Sequence, residues 1–134
     1  MRALIAAVLT TFVALPAPAL TKPSLREVQE IEDPLFAVAV AKEVSDYCEE
    51  ISPRYLKGLV ELRRLKARAN ELGYSDTEIR SYIESDAEKA RMRAKGEELL
   101  AQNGVDYGEP ETFCAYGRAE IEKNSAIGVL LRAK

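Results

Sequence analysis

A chain of 134 residues with 19 Lys plus Arg against 22 Asp plus Glu, net charge −3, is enough polypeptide for one domain and lacks the cationic excess that generic nucleic-acid binding requires. It holds no histidine and two cysteines, which excludes His-based metal sites, Ser-His and Cys-His catalysis and c-type haem attachment together. From composition, no cofactor and no metal centre is expected.

The chain opens as an export leader does. Met1 and Arg2 form a short positive start, Ala3 to Leu15 are free of charge, and Ala17-Pro18-Ala19 offers a small-x-small cleavage site. As a helix the apolar run rises only ~20 Å, against a bilayer core about 30 Å thick. A cleaved signal over residues 1–19 is therefore expected in preference to an uncleaved anchor, and no later segment approaches spanning length. Removing residues 1–19 from 134 leaves 115; with Arg2 gone, 18 bases face 22 acids, a net of −4.

Export places Cys48 and Cys114 where thiols are oxidised, and two cysteines allow one intramolecular pairing. A Cys48–Cys114 disulfide is the expected outcome, with two free buried thiols or an intermolecular bridge as the competing states. The two are 66 positions apart (114 − 48), so the bridge would restrict the unfolded chain by about 4 kcal/mol. That separation also speaks against a redox-active Cys-x-x-Cys pair.

The remaining sequence is punctuated by helix signals and predicts an all-α bundle of five or six short helices. Residues 20–33 carry Leu25, Val28 and Ile31 at helical spacing, with Ser24 and Glu27 as a weak capping box, and read as a helix or an ordered arm. The helical domain proper is expected over 34–134. Asp33-Pro34 is an N-cap followed by Pro, opening a helix to about Glu50 with Phe36, Val40, Val44, Tyr47 and Ile51 on one face. Ser52-Pro53 repeats the signal and opens a second helix to Leu72, stopped by Gly73, with Tyr55, Leu59, Leu62, Ala69 and Leu72 as its inner stripe. The tight connection predicts that these two helices run antiparallel.

Ser75 with Glu78 starts a third helix, and Ser85 with Glu88 signals a break and restart. Up to Asn103-Gly104, the residues Ala87, Ala90, Ala94 and Ala101 are expected to form a close-packing stripe. Pro110 opens a helix with Phe113, Cys114, Gly117 and Ile121 inward, Asn124-Ser125 ends it, and Ile127, Leu130 and Leu131 suggest a last amphipathic turn.

Charge is uneven along this framework. Residues 24–52 hold Arg26 and Lys42 against eight acids, a net of −6, whereas residues 53–72 hold six bases against Glu61 and Glu71, a net of +4. Arg54, Lys57, Arg64 and Arg68 are the candidate contact residues for an acidic protein or an anionic lipid surface, set against a solvated face balanced by the acidic helix beside it. Lys66 falls among Tyr55, Leu59 and Leu62 on the helical wheel, with Arg63 at the edge. A cation in an apolar stripe must snorkel, pair or bind a ligand. An internal ion pair with Asp86 or Glu97 is the expected resolution. Tyr74, Tyr107 and Tyr116, near helix ends, are candidates for an exposed contact patch or ordinary boundary tyrosines.

No catalytic constellation emerges. Glu49-Glu50 and Glu97-Glu98 occupy adjacent helical positions, so their carboxylates diverge instead of converging as general acid–base work demands. The bases Lys89, Arg91, Arg93 and Lys95 alternate with acids around a helix and do not form a phosphate cradle.

The segments Lys22-Pro23-Ser24-Leu25-Arg26-Glu27-Val28, Leu72-Gly73-Tyr74-Ser75-Asp76, Ser85-Asp86-Ala87-Glu88-Lys89-Ala90-Arg91, Phe113 to Ile121 and Ile127 to Arg132 together resemble a family of small exported alphaproteobacterial proteins of unknown function. The resemblance implies a helical, exported protein and carries over no catalytic residue. Proteins in such families sometimes bear the name of a component of NADH dehydrogenase. The component so named resembles a thioredoxin-like protein whose iron-sulfur cluster needs four cysteine ligands, and this chain has two. The expected role is that of a periplasmic accessory protein acting on another periplasmic or membrane-bound protein, with a small chaperone or ligand carrier exposing an apolar groove as the alternative.

Overall fold

The structure, a computed structural model, describes residues 21–134; the leader expected over residues 1–19 and its cut after Ala19 lie outside the described residues. A 3-10 turn at Leu25–Glu27 precedes α1 (Gln29–Tyr47), followed by β1 (Ile51–Pro53), α2 (Tyr55–Glu71), α3 (Asp76–Glu84), α4 (Asp86–Gln102), α5 (Pro110–Lys123), a 3-10 turn at Gly128–Leu130 and β2 (Leu131–Ala133). Helices dominate, as predicted. The one departure in class is a two-stranded antiparallel sheet of β1 and β2, pairing Ile51 with Ala133 and Pro53 with Leu131.

Several boundaries follow local chemistry. Ser75 accepts from the Glu78 amide at 3.1 Å while its own amide donates to Glu78 Oε2 at 2.6 Å, so α3 opens on a reciprocal cap. Ser85 accepts from the Glu88 amide at 3.2 Å, and the chain does break there, separating α3 from α4. Gly73, at φ +92°, ends α2: its amide reaches the Asn70 carbonyl and that of Tyr74 reaches Ala69, both at 3.0 Å, satisfying carbonyls that the helix end leaves open. Pro110 is at the start of α5, where its missing N–H costs nothing, and Asn124 closes that helix in the left-handed region.

Two helix starts differ from expectation. The first helix opens at Gln29, not at Asp33-Pro34, and Pro34 lies inside it. Burial of Ile31 and Glu32 fixes the turn before the proline, outweighing the amide that Pro34 cannot donate. Ser52-Pro53 does not cap a helix but sits in β1. Burying both Ile51 and Leu131 draws their segments into extended pairing, continued by the Arg54 amide donating to the Leu130 carbonyl at 2.8 Å, and α2 starts at Tyr55.

The apolar interior has two parts, and α1 contributes to both. Val40 and Val44 pack with Ile51, Leu100, Phe113 and Leu131 in the larger. Ile31 packs with Leu25, Leu65, Ala69, Tyr74 and Ile79 in the smaller. The Cys48–Cys114 disulfide, Cα–Cα 5.2 Å, ties the end of α1 to α5 within the larger core. Arg68, late in α2, bonds Glu30, early in α1, at 2.7 Å, as the predicted antiparallel course requires.

The expected alanine stripe of α4 faces solvent: Ala87, Ala90, Ala94 and Ala101 are all exposed. The helix turns Gly96 and Leu100 inward instead, with Gly96 beside Phe36 and Val40, because the same rotation carries Arg91 and Lys95 to the buried Glu32.

Candidate interaction surface

Helix α2 buries Leu65 and Ala69. At 3.6 residues per turn, Leu56, Leu59 and Val60 then emerge on the opposite side. The first half of the helix accordingly exposes Tyr55 (79 %), Leu56 (80 %), Leu59 (45 %), Val60 (62 %) and Leu62 (39 %). Tyr55, Leu59 and Leu62 are therefore an outer group, contrary to the expected inner stripe, and only its later members Ala69 and half-buried Leu72 turn toward the core. The inner face of α1 at this level is covered by Leu100, Phe113 and the C-terminal segment, and no α2 residue enters that core.

The rotation also resolves Lys66. The wheel correctly places it with Tyr55, Leu59 and Leu62, but that face is outside, so no internal pair forms. Lys66 is exposed with Nζ 3.5 Å from Asp76 Oδ2, while Arg63, Asp86 and Glu97 are exposed and make no ion pair among the described residues. The Asn70 amide and then Lys66 hold Asp76 below its ordinary range.

Of the four cations singled out as contact residues, two are engaged. Arg64 bonds Glu61 at 2.6 Å, and Arg68 bonds both Glu30 and Glu71; these arginines hold the Glu61 and Glu30 carboxyls below the usual range. Arg54 and Lys57 are exposed and make no ion pair among the described residues.

Beside this face an apolar cleft of about 570 Å³ lies between α1, α2, α3 and α4, lined by Leu35, Val38, Leu62, Ile83 and Met92 among others. Leu62 and the half-exposed Ile83 join the cleft to the exposed surface of α2. Its volume falls within the roughly 300–1,000 Å³ typical of small-molecule sites.

The internal ion pair exists with other members. Glu32, 3 % exposed, accepts from Arg91 Nη2 at 2.8 Å and from the Tyr82 hydroxyl at 2.5 Å, with Lys95 Nζ at 3.9 Å. Burial, then the Glu32 contact, pushes the Tyr82 hydroxyl well above its ordinary pKa. Arg91 also bonds Glu88, which Arg26 meets from the N-terminal turn. The signal in the sequence is an acid set among apolar positions: Glu32 follows Val28 by one turn and precedes Leu35 by three residues.

Of the tyrosines considered for a contact patch, Tyr74 and Tyr116 are buried, and the Tyr74 hydroxyl donates to the Pro23 carbonyl at 2.6 Å. Tyr107 packs edge-on against Tyr47 and Phe113 and donates to Glu43 at 2.9 Å. The tyrosine most open to solvent among these groups is Tyr55, on α2.

Residues 23–132 match a family described as of unknown function, DUF5333. The chain belongs to that family. The match spans every helix, both strands up to Arg132 and the disulfide, so this DUF5333 fold is a stapled helical unit with an exposed apolar face on its second helix. Comparisons with curated proteins and with solved structures gave no match. Among the described residues of this DUF5333 protein, no helix is long and apolar enough to cross a membrane.

Proposed function

We propose that the protein is an exported periplasmic accessory protein that acts by binding, not catalysis, and that its binding surface is the first half of α2. The observation that carries this reading is the group of five large apolar side chains, Tyr55 to Leu62, standing in solvent on α2. Single exposed apolar residues are ordinary, but a contiguous cluster marks an interaction site. Export is supported by the composition of residues 1–19 and by the Cys48–Cys114 bridge, which suits an oxidising compartment.

Two measurements test the proposal. Intact mass of the protein recovered from cells is expected to correspond to residues 20–134 less two hydrogens; a full-length, reduced chain would contradict export. A solvatochromic apolar dye is expected to bind the native protein near neutral pH, and Leu56→Ser with Val60→Ser should remove most of that signal without moving the thermal midpoint. Unchanged dye binding would reject α2 as the surface.

The cleft favours a second reading, a carrier of a small apolar ligand. In that case dye binding survives the α2 substitutions and is lost on filling the cleft with Val38→Phe or Ala39→Phe.

A further inference from the structure

The exposed face of α2 is bordered by cations. Viewed down the helix, Leu59, Leu56 and Val60 form a band opposite Leu65 and Ala69. Lys66 falls at one edge of the band, Lys57 and Arg64 at the other, and Arg63 closes it one turn beyond Leu59 and Val60. From Arg54 to Lys66 the chain holds five bases against the single acid Glu61; Arg64 is bonded to Glu61 and Lys66 stands 3.5 Å from Asp76, which leaves Arg54, Lys57 and Arg63 without an ion pair among the described residues. Tyr55, the aromatic at the start, has an apolar ring and a polar tip. An apolar band bordered by long cationic side chains suits an interface where the band enters a nonpolar layer and the cations reach sideways to anions. An acidic protein would supply anions on one matching outline, whereas an anionic bilayer supplies them wherever Lys57 at one edge and Arg63 at the end of the band reach.

We propose that the first half of α2 lies on an anionic lipid surface. This rests on the reading of α2 as the binding face and names its partner. Leu56, Leu59 and Val60 enter the boundary between headgroups and acyl chains, Tyr55 sits at headgroup level, and Lys57 and Arg63 meet lipid phosphates. Because the chain as a whole is acidic, the field orients it with α2 toward the membrane and the acid-rich segment 24–52 less favourably placed for contact.

Co-sedimentation with vesicles tests this, using wild type and variants shown by intact mass to share one N-terminus, so that any leader contributes equally. Wild type is expected to bind vesicles of phosphatidylglycerol and phosphatidylethanolamine, to bind pure phosphatidylcholine far less, and to be released by salt. Lys57→Gln with Arg63→Gln should weaken binding about 25-fold, at about 5-fold per cation. Leu56→Ser with Val60→Ser should weaken it by at least about 10-fold. Equal binding to neutral and anionic vesicles, or binding unmoved by either double variant, overturns the inference. No vesicle binding by wild type, with dye binding still lost in Leu56→Ser/Val60→Ser, overturns the lipid partner alone and leaves α2 as a protein-docking face. A dimer in solution that the same variants dissociate would likewise replace the lipid with a second copy of the chain.

Discussion

The Glu32 carboxylate accepts from the Arg91 guanidinium at 2.8 Å across 59 positions of sequence, joining α1 to α4 through a charge that is otherwise buried. Removing one member of a buried ion pair leaves the other uncompensated and costs about 3–5 kcal/mol. Arg91→Met leaves Glu32 with the Tyr82 hydroxyl and a distant Lys95, and should lower stability by about 3 kcal/mol. Glu32→Gln keeps an acceptor for Tyr82 and should lose less, about 1–2 kcal/mol. Urea midpoints decide; equal or negligible losses in the two variants would mean that the pair is not what holds the helices together.

The Cys48–Cys114 bridge closes a separation of 66 residues. Cys48→Ala with Cys114→Ala should lower stability by about 4 kcal/mol, mainly by freeing the unfolded chain. Chemical denaturation of the wild type with and without reductant should reproduce most of that difference.

Two glycines allow close approach. A Cβ at Gly117 would overlap Ile51 and Val44 side chains, and one at Gly128 would overlap the Glu120 carbonyl. Side chains can shift where backbone cannot, so Gly117→Ala should cost about 1–3 kcal/mol and Gly128→Ala more. The thermal midpoints should fall in that order; a milder Gly128→Ala would contradict the close packing of the C-terminal segment on α5.

Stability should fall at both pH extremes, with no transition between pH 5 and 8, because the chain has no histidine. Glu30, Glu61, Glu78 and Glu88 are held below their ordinary value of 4.5 and Asp76 below 3.8, mainly by hydrogen bonds to the ionised carboxylate. Their contribution is present above those ordinary values and is lost as pH falls through the lowered ones. On the alkaline side, burial pushes Tyr116 up to about 12 and raises Tyr82 and Tyr107 from 10.0, so their contribution is present below pH 10 and lost above it. A urea series across pH should trace both limbs, and tyrosinate absorbance should show these side chains ionising late, together with unfolding.

What the sequence settled by itself was local or arithmetical. The caps at Ser75 and Ser85 and the stop at Gly73 rest on hydrogen bonds within a few residues, and Pro110 suits a first helical position because it has no N–H to leave open; these local signals held where burial did not oppose them, as it did at Asp33-Pro34 and Ser52-Pro53. The sequence offered one intramolecular cysteine pairing, with free thiols or an intermolecular bridge as the competing states, and the structure forms that pairing. Which way a helix faces is a different kind of fact. Helix α2 carries apolar residues most of the way round, with Tyr55, Leu59 and Leu62 on one flank of Leu65 and Ala69 and with Leu56 and Val60 opposite, so its wheel did not decide which arc is covered; with α4, α5 and the C-terminal segment packed over α1, Leu65 and Ala69 are the α2 side chains that are buried. The same packing turned the alanines of α4 outward, drew Ser52-Pro53 into a strand against Leu131, and moved the buried ion pair from Lys66 to Glu32. Periodicity names the faces of an element, but only the competition for a shared interior decides which face is covered.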